Sequence, residues 1–324
     1  MPPVTSDLKR VVARLFGVDC EDVRVDTHML RVRGQTFPID RGVILLDQSD
    51  VQDQALPGTK EDVRRSFSHE WDIYRESFPE HDSEFLGYFD VVQLDRLRDK
   101  VAIDLGCGAG RWSLRLAEYC DTIVLVDFSD AIFVAAENLA AVPNALFFRG
   151  DITQLPFVNE SADFIFSLGV LHHLEEPCLK ATRDLMRLAP EGLFYLYYAL
   201  DNKPRYFESI LRVVTLLREF AIRIRSETIR ARISWLLART LYLPLVSVGR
   251  IAEYSGVRSP IPLYESYRGK SVSRMEQDAY DRFFTSIEQR VSRHDVLGAL
   301  APDFRVTFSE TEPFWHFHVS RRHL

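Results

Sequence analysis

The sequence predicts an α/β protein built on a doubly wound, mostly parallel sheet. Three observations carry that expectation. First, short apolar runs ending in an acidic residue recur along the middle of the chain: Val101 to Leu105 with Asp104, Thr122 to Asp127, and Ala145 to Asp151. Second, the first run is followed by glycines at 106, 108 and 110 and then by Arg-Trp-Ser-Leu-Arg-Leu, which reads as a strand, a tight turn and a helix start. Third, a fourth run, Ala162 to Leu174, ends in a loop with two histidines, and a fifth strand covers Glu191 to Leu200. Strands of this kind, alternating with helix-length segments, place their carboxyl ends along one edge of the sheet, where a ligand binds.

A glycine turn alone would suit NAD, FAD or S-adenosylmethionine. The dinucleotide pattern needs another glycine where this chain has Arg111, and a pyrophosphate disfavours a neighbouring acid such as Asp104. S-adenosylmethionine has a sulfonium and an α-amino group and no phosphate, so an acid-Leu-Gly-Cys-Gly loop suits it better. The next acids agree. Asp127 falls about 20 residues after the loop, where a carboxylate accepts from both ribose hydroxyls, Phe128 is placed to pack on adenine, and Asp151 to accept from the adenine amino group.

Asp104-Leu-Gly-Cys-Gly-Ala-Gly110, Val126-Asp-Phe-Ser129, Gly150-Asp-Ile152, Leu155-Pro-Phe157 and Ser167-Leu-Gly-Val-Leu-His-His173 together resemble the class I S-adenosylmethionine-dependent methyltransferases. The resemblance covers residues 100 to 200, about a third of the chain. It implies a seven-stranded Rossmann-like sheet whose last strand inserts antiparallel. It also implies that Asp104, Gly106, Cys107 and Gly108 hold the methionine end, Asp127 and Phe128 the ribose and adenine, and Asp151 with Ile152 the adenine, with Ser167 at the end of the fourth strand as a further cofactor-binding residue.

Outside that core the chain divides into further segments. Residues 1–58 are expected as a small α/β appendage, with an amphipathic helix over 8–17 and short strands between Met29 and Leu46 around turns at Gly34 and Gly42. The Phe-Pro-Ile…Gly-Val…Leu-Leu pattern resembles a small zinc-ribbon-like unit, but its zinc cysteines are missing, so no metal is carried over. Gln48 to Lys60 reads as a linker. Residues 59–98 are expected as a helical lid in which Phe67, Trp71 and Tyr74 form an aromatic stripe. Either His69, Trp71 and Tyr74 line the substrate, or Phe67, Trp71 and Tyr74 are the ordinary buried face of a surface helix. The core spans 99–202, an inserted helical cap 203–277, and a C-terminal helix with a closing hairpin 278–324.

His172 and His173 lie in the loop that the resemblance turns toward substrate, and a histidine there would take a proton from a hydroxyl or amine as the methyl arrives. Adjacent residues point differently, and His173 is the favoured base. Tyr197, Tyr198, Arg205 and Tyr206 at the root of the cap are candidate pocket residues. The cap is patterned as helices over 210–225 and 229–241, with a break expected at Pro244. Residues 203–275 have a net charge of +9, leaving −16 for the rest of the chain. That asymmetry is read first as a cap or dimer element, with an amphipathic surface for membrane or nucleic acid as the other readings. Asp278 to Val291 is expected to be helical. Ser292-Arg-His-Asp295 reads as a capping box, and His316 and His318 as strand-surface histidines rather than metal ligands.

The composition bounds the partners. A net charge of −7 argues against a general nucleic-acid binder, and the four cysteines have neither metal spacing nor a disulfide framework. The N-terminus has no signal-peptide pattern and no apolar run reaches membrane-spanning length, so a cytoplasmic protein is expected. The expected function is transfer of a methyl group from S-adenosylmethionine to an oxygen or nitrogen of a small molecule, as in secondary metabolism. A tRNA or protein acceptor, non-methyl chemistry on the same cofactor, and an inactive cofactor-binding partner remain as alternatives.

Overall fold

The computed structural model describes residues 6–47, 59–73, 81–201, 203–224, 226–256, 261–310 and 316–322. Helix α1 (Ser6–Phe16) precedes strands β1 (Arg24–Val25), β2 (Met29–Val32), β3 (Gln35–Asp40) and β4 (Val43–Leu45). Helices α2 (Lys60–Ile73) and α3 (His81–Tyr88) follow. The alternating core comprises β5 (Val101–Leu105), α4 (Arg111–Leu116), β6 (Thr122–Asp127), α5 (Ala131–Asn138), β7 (Ala145–Arg149), β8 (Phe164–Leu168), α6 (Cys178–Leu185) and β9 (Glu191–Tyr195). The cap is α7 (Arg205–Ala221), α8 (Glu227–Leu237), α9 (Leu243–Tyr254) and α10 (Tyr264–Tyr267), and it leads into α11 (Val272–Phe284). Helix α12 (Arg293–Leu300), β10 (Phe304–Phe308) and β11 (His316–Arg321) close the chain.

Among the described residues one sheet has eleven strands, in the order β1-β2-β3-β4-β7-β6-β5-β8-β9-β11-β10. The seven from β7 to β10 form the expected unit. Pairing is parallel from β7 through β9, and β11 inserts antiparallel between β9 and β10. The N-terminal strands, expected in a separate appendage, lie in the same sheet. Val43, Ile44 and Leu45 of β4 pair in parallel with Phe147, Phe148 and Arg149, so the N-terminal strands extend the same sheet. Their side chains share its core: Phe16, fully buried, lies 5.6 Å from Phe37 and 5.7 Å from Phe157, ring centre to ring centre. Arg14 adds a two-pronged pair with Asp163, whose carboxylate also accepts from the Val101 amide.

Other boundaries differ for identifiable reasons. Lys60, expected in a linker, is the first residue of α2, whereas residues 48–58 lie outside the described residues. Pro244 does not break the cap. The chain stays helical from Glu227 to Tyr254 because a wide π turn at Ala238–Tyr242 makes room one turn ahead of the proline, whose ring would otherwise meet the Thr240 carbonyl. Helix α11 runs across the boundary expected at 277/278 and stops at Phe284, and residues 285–291 are not helical. The Ser292–Asp295 capping box starts α12 as expected. His316 is not a surface residue. It is fully buried, with Nε2 2.8 Å from Asp90 Oδ1, because β11 is an interior strand covered by the segment after α3. His318, on the same strand, lies 3.3 Å from Glu191, and Trp315 is outside the described residues.

Because the N-terminal strands and the core share one sheet, they are expected to unfold in one transition. Phe16→Ala should cost about 3–5 kcal/mol and move the whole calorimetric melt to lower temperature, rather than detach an early component.

Candidate functional site

Parallel strands β7, β6, β5 and β8 end on one edge, and the order of chain connection reverses between β5 and β8. A crevice opens at such a reversal. Here it is a cavity of about 540 Å³, a size suited to a cofactor and a small second molecule. One half is lined by Gly106, Cys107 and Gly108 after β5, Asp127 and Phe128 after β6, Asp151 and Ile152 after β7, and Gly169 and Val170 after β8. Gly106 is required as glycine: its φ is +86°, and a Cβ there would lie 2.5 Å from the Val170 side chain.

Asp127 organises this half. Its Oδ2 accepts from the Gly108 amide at 2.9 Å, and its Oδ1 accepts from the Ser129 amide at 2.8 Å and the Ser129 hydroxyl at 2.6 Å. Burial raises its pKa above the ordinary carboxylate value, with those hydrogen bonds opposing. Asp151 accepts from Lys60 Nζ at 2.5 Å and from the amide and hydroxyl of Thr153. Burial alone would raise its pKa, but Lys60 and Thr153 outweigh it and hold it below the usual range.

Two residues assigned to the cofactor from sequence are not among those lining the cavity. Asp104 points beneath the loop, where Ser113 Oγ donates to it at 2.7 Å, and burial pushes its pKa up to about 8. Ser167 is fully buried and donates to the Leu105 carbonyl at 2.8 Å, stitching β8 to β5.

Helix α2 lies along the cavity, lining it with Lys60, Val63 and Phe67, one face at i, i+3, i+7. It is tied down on both sides: the Lys60 amide donates to Glu175 at 2.8 Å, and the Asp130 amide donates to Ser68 Oγ at 3.1 Å. Of the residues expected on the lid, His69 and Trp71 lie on α2 but their side chains are outside the described residues, as is Tyr74 altogether.

The two histidines diverge as adjacent residues should. His172 is fully buried, stacked 3.9 Å from the Tyr197 ring, and is not among the lining residues. Burial holds its pKa well below the ordinary value. His173 lines the cavity. Its Nδ1 lies 2.6 Å from the Ile287 carbonyl oxygen, so Nδ1 bears the proton and donates, while Nε2 sits 3.6 Å from Asp281 Oδ1. Asp281 Oδ2 accepts from the Tyr197 hydroxyl at 2.7 Å, and Oδ1 accepts from Thr285 Oγ1 at 3.0 Å.

Of the second half of the cavity, only Tyr197 was expected from the sequence. Tyr88, Trp112, Tyr195, Tyr197 and Tyr267 supply aromatic walls, while Arg111, Lys270, Arg274, Gln277, Asp278, Asp281 and Arg282 supply charge and polarity. Five of these lie on α11, at 274, 277, 278, 281 and 282, one helical face. The only sequence signal was that spacing, and a polar stripe on a helix ordinarily marks the solvent side. Two ion pairs bind the group together: Lys270 Nζ to Glu84 at 2.6 Å and Arg274 Nε to Asp278 at 3.2 Å. Burial and the neighbouring Arg274 lower the Arg111 pKa to about 10. Tyr198, Arg205 and Tyr206 do not line the cavity. Tyr198 bridges to Val291, and Tyr206 is exposed.

Comparison with known proteins agrees with this geometry. A family profile described as a methyltransferase domain matches residues 102–192. A protein of Encephalitozoon cuniculi (strain GB-M1) named as a methyltransferase is 31% identical over 34% of this chain and 51% of its own length. A mouse protein named tRNA methyltransferase 9B is 29% identical over 41% of this chain and 30% of its own. The ubiquinone biosynthesis O-methyltransferase of Nitrosomonas europaea is 28% identical over 46% of this chain and 66% of its own. The chain therefore spans about half, or less, of the first two relatives it matches.

Asp104 yields a pH prediction. Its carboxyl ionises near 3.8 when unfolded and near 8 when folded, so between those values the folded state holds the extra proton. Stability then falls as pH rises through that window, by up to about 1.4 kcal/mol per pH unit. Urea melts at pH 5, 6.5 and 8 should show this decline, and Asp104→Asn should remove it. With the cavity and the glycine loop in place, residues 102–192 are similar to the methyltransferase-domain family whose profile they match.

Proposed function

We propose that the protein transfers the methyl group of S-adenosylmethionine to an oxygen or nitrogen of a small molecule. The observation that supports this best is the placing of Gly106 to Gly108, Asp127, Asp151 and His173 around one cavity. The residues fit the cofactor. A loop without side chains at 106 and 108 admits the methionine end, Asp127 has lone pairs left for ribose hydroxyls, and Asp151 with Ile152 suits the adenine rim. Bound there, the cofactor supplies an electrophilic methyl on a sulfonium.

The rest is the work of the chain's own groups. The protonated Nδ1 of His173 is fixed on the Ile287 carbonyl, so Nε2 is the basic nitrogen at the cavity wall. An acceptor hydroxyl or ammonium gives its proton to that nitrogen, and Asp281 stabilises the resulting imidazolium. Tyr197 and Thr285 hold the Asp281 carboxylate in place for this role. Helix α2 and the tyrosine walls keep water from the reacting atoms and align them, which is most of what a displacement at carbon requires.

Incubation with an acceptor pool should release S-adenosylhomocysteine, whereas methylthioadenosine in its place would refute transfer. Asp127→Ala should weaken S-adenosylhomocysteine binding at least tenfold in calorimetry. His173→Gln should lower kcat by about 10²–10⁴ with that affinity within twofold of wild type, while His172→Gln should act only through stability.

A further inference from the structure

The outer face of the cap has an unusual surface. Sixteen large hydrophobic side chains are exposed among the described residues, and fourteen of them lie between 206 and 254, far more than a solvated helical layer needs. On α7 they include Val213, Leu217 and Phe220, the last 66% exposed. Trp235 stands on α8, and Ile251 and Tyr254 on α9, the tyrosine 96% exposed. These helices are not short of inward contacts. Arg218, Ser234, Tyr242 and Val246 are buried on their other faces, so the exposed residues are a second apolar face rather than a misplaced core. Arginines are interleaved with them: Arg212, Arg223, Arg232 and Arg250 are all exposed, and no carboxylate pairs with any of the four among the described residues. Residues 203–275 have a net charge of +9.

We infer that α7 to α9 form a docking face for an anionic lipid surface. Charge decides between the possible occupants. A second copy meeting this face with its own would set arginine against arginine. A nucleic acid would satisfy the arginines but leave the aliphatic side chains of Val213, Leu217 and Ile251 with nothing apolar to cover them. An anionic bilayer satisfies both, taking the apolar side chains and Trp235 into the boundary between headgroups and acyl chains while the guanidinium groups meet phosphates. No helix among the described residues is long and apolar enough to cross a membrane, so the contact is with one leaflet. This inference does not depend on the methyl-transfer proposal, because no residue of the docking face lines the cavity.

The test is co-sedimentation of the full chain with vesicles of phosphatidylcholine, alone or with 30% phosphatidylglycerol (about a third of the lipid). Wild type should bind the mixed vesicles at least tenfold more tightly than the neutral ones, and 0.5 M salt should weaken that preference. Each arginine lost should cost roughly fivefold on mixed vesicles, so Arg212→Gln with Arg250→Gln should lose about twenty-five-fold. Leu217→Gln with Phe220→Gln should weaken binding to both kinds of vesicle. Circular dichroism and S-adenosylhomocysteine binding, unchanged in all variants, would show that the fold persists. Equal binding to neutral and anionic vesicles, or binding to neither, overturns the inference. So does a wild-type dimer in light scattering that the Leu217/Phe220 variant abolishes, or retention of bulk tRNA in place of vesicles.

Discussion

The Asp127 carboxylate is the constraint on which the cofactor half of the site depends. Three hydrogen bonds to one buried side chain join the glycine turn after β5 to the turn that opens α5. The Gly106 and Cys107 amides add a second tie, both donating to the Val126 carbonyl. A loop with positive φ at residues 106, 108 and 110 is conformationally expensive to hold, and these bonds hold it without side-chain packing inside the cavity. The same carboxylate therefore preorganises the loop and remains available on the cavity wall. Its desolvation is opposed by donors already in place, so a ligand entering the cavity encounters a site that needs little rearrangement.

A second set of bonds fixes the acceptor half to the first. The segment after α11 is the junction. Gln289 donates its amide to the His172 carbonyl, and its side chain donates to Leu174 and Glu176 while accepting from Cys178. Glu288 pairs with Arg218 of α7 at 2.8 Å, and Arg218 also donates to the Thr285 carbonyl. Ile287 in the same segment orients His173. The cap, the histidine loop and the candidate base thus share one irregular stretch of seven residues. A displacement of α7 would reach His173 through two or three bonds, whereas the glycine loop would feel it only across the cavity.

The core was legible because its determinants are local. An apolar run ending in an acid, then glycine, then a helix start, specifies strand, turn and ligand edge within about ten residues, and Asp127 and Asp151 could be placed from spacing alone. Asp104 shows the limit of that reasoning: the sequence puts an acid at the strand end but not which side of the turn it faces, and Ser113 draws it beneath. The extended sheet was hidden because β4 is three residues long and finds its partner a hundred residues away. The acceptor half was hidden for a different reason. Arg274, Gln277 and Asp281 read as the solvated face of a helix, and only tertiary packing against α2 and the region of Glu84 turns that face inward.

That inward polar face constrains what the cavity can hold. Burying an ion pair generally costs about as much in desolvation as the attraction returns, so Lys270–Glu84 and Arg274–Asp278 are poor explanations of stability. Their effect is on specificity. Arg274 is more than nine-tenths buried at the cavity wall, and its Nη1 has no hydrogen-bond partner among the described residues. An acceptor with a polar or anionic group satisfies that donor, whereas an apolar acceptor leaves it unpaired at a cost of about 1–3 kcal/mol, roughly a five- to hundredfold loss of affinity. The aromatic walls supply affinity with little selectivity. On the proposed methyl transfer, discrimination among acceptors would rest on a few charged groups from α11 and the residues before it, and the half around Asp127 can stay constant while this half varies.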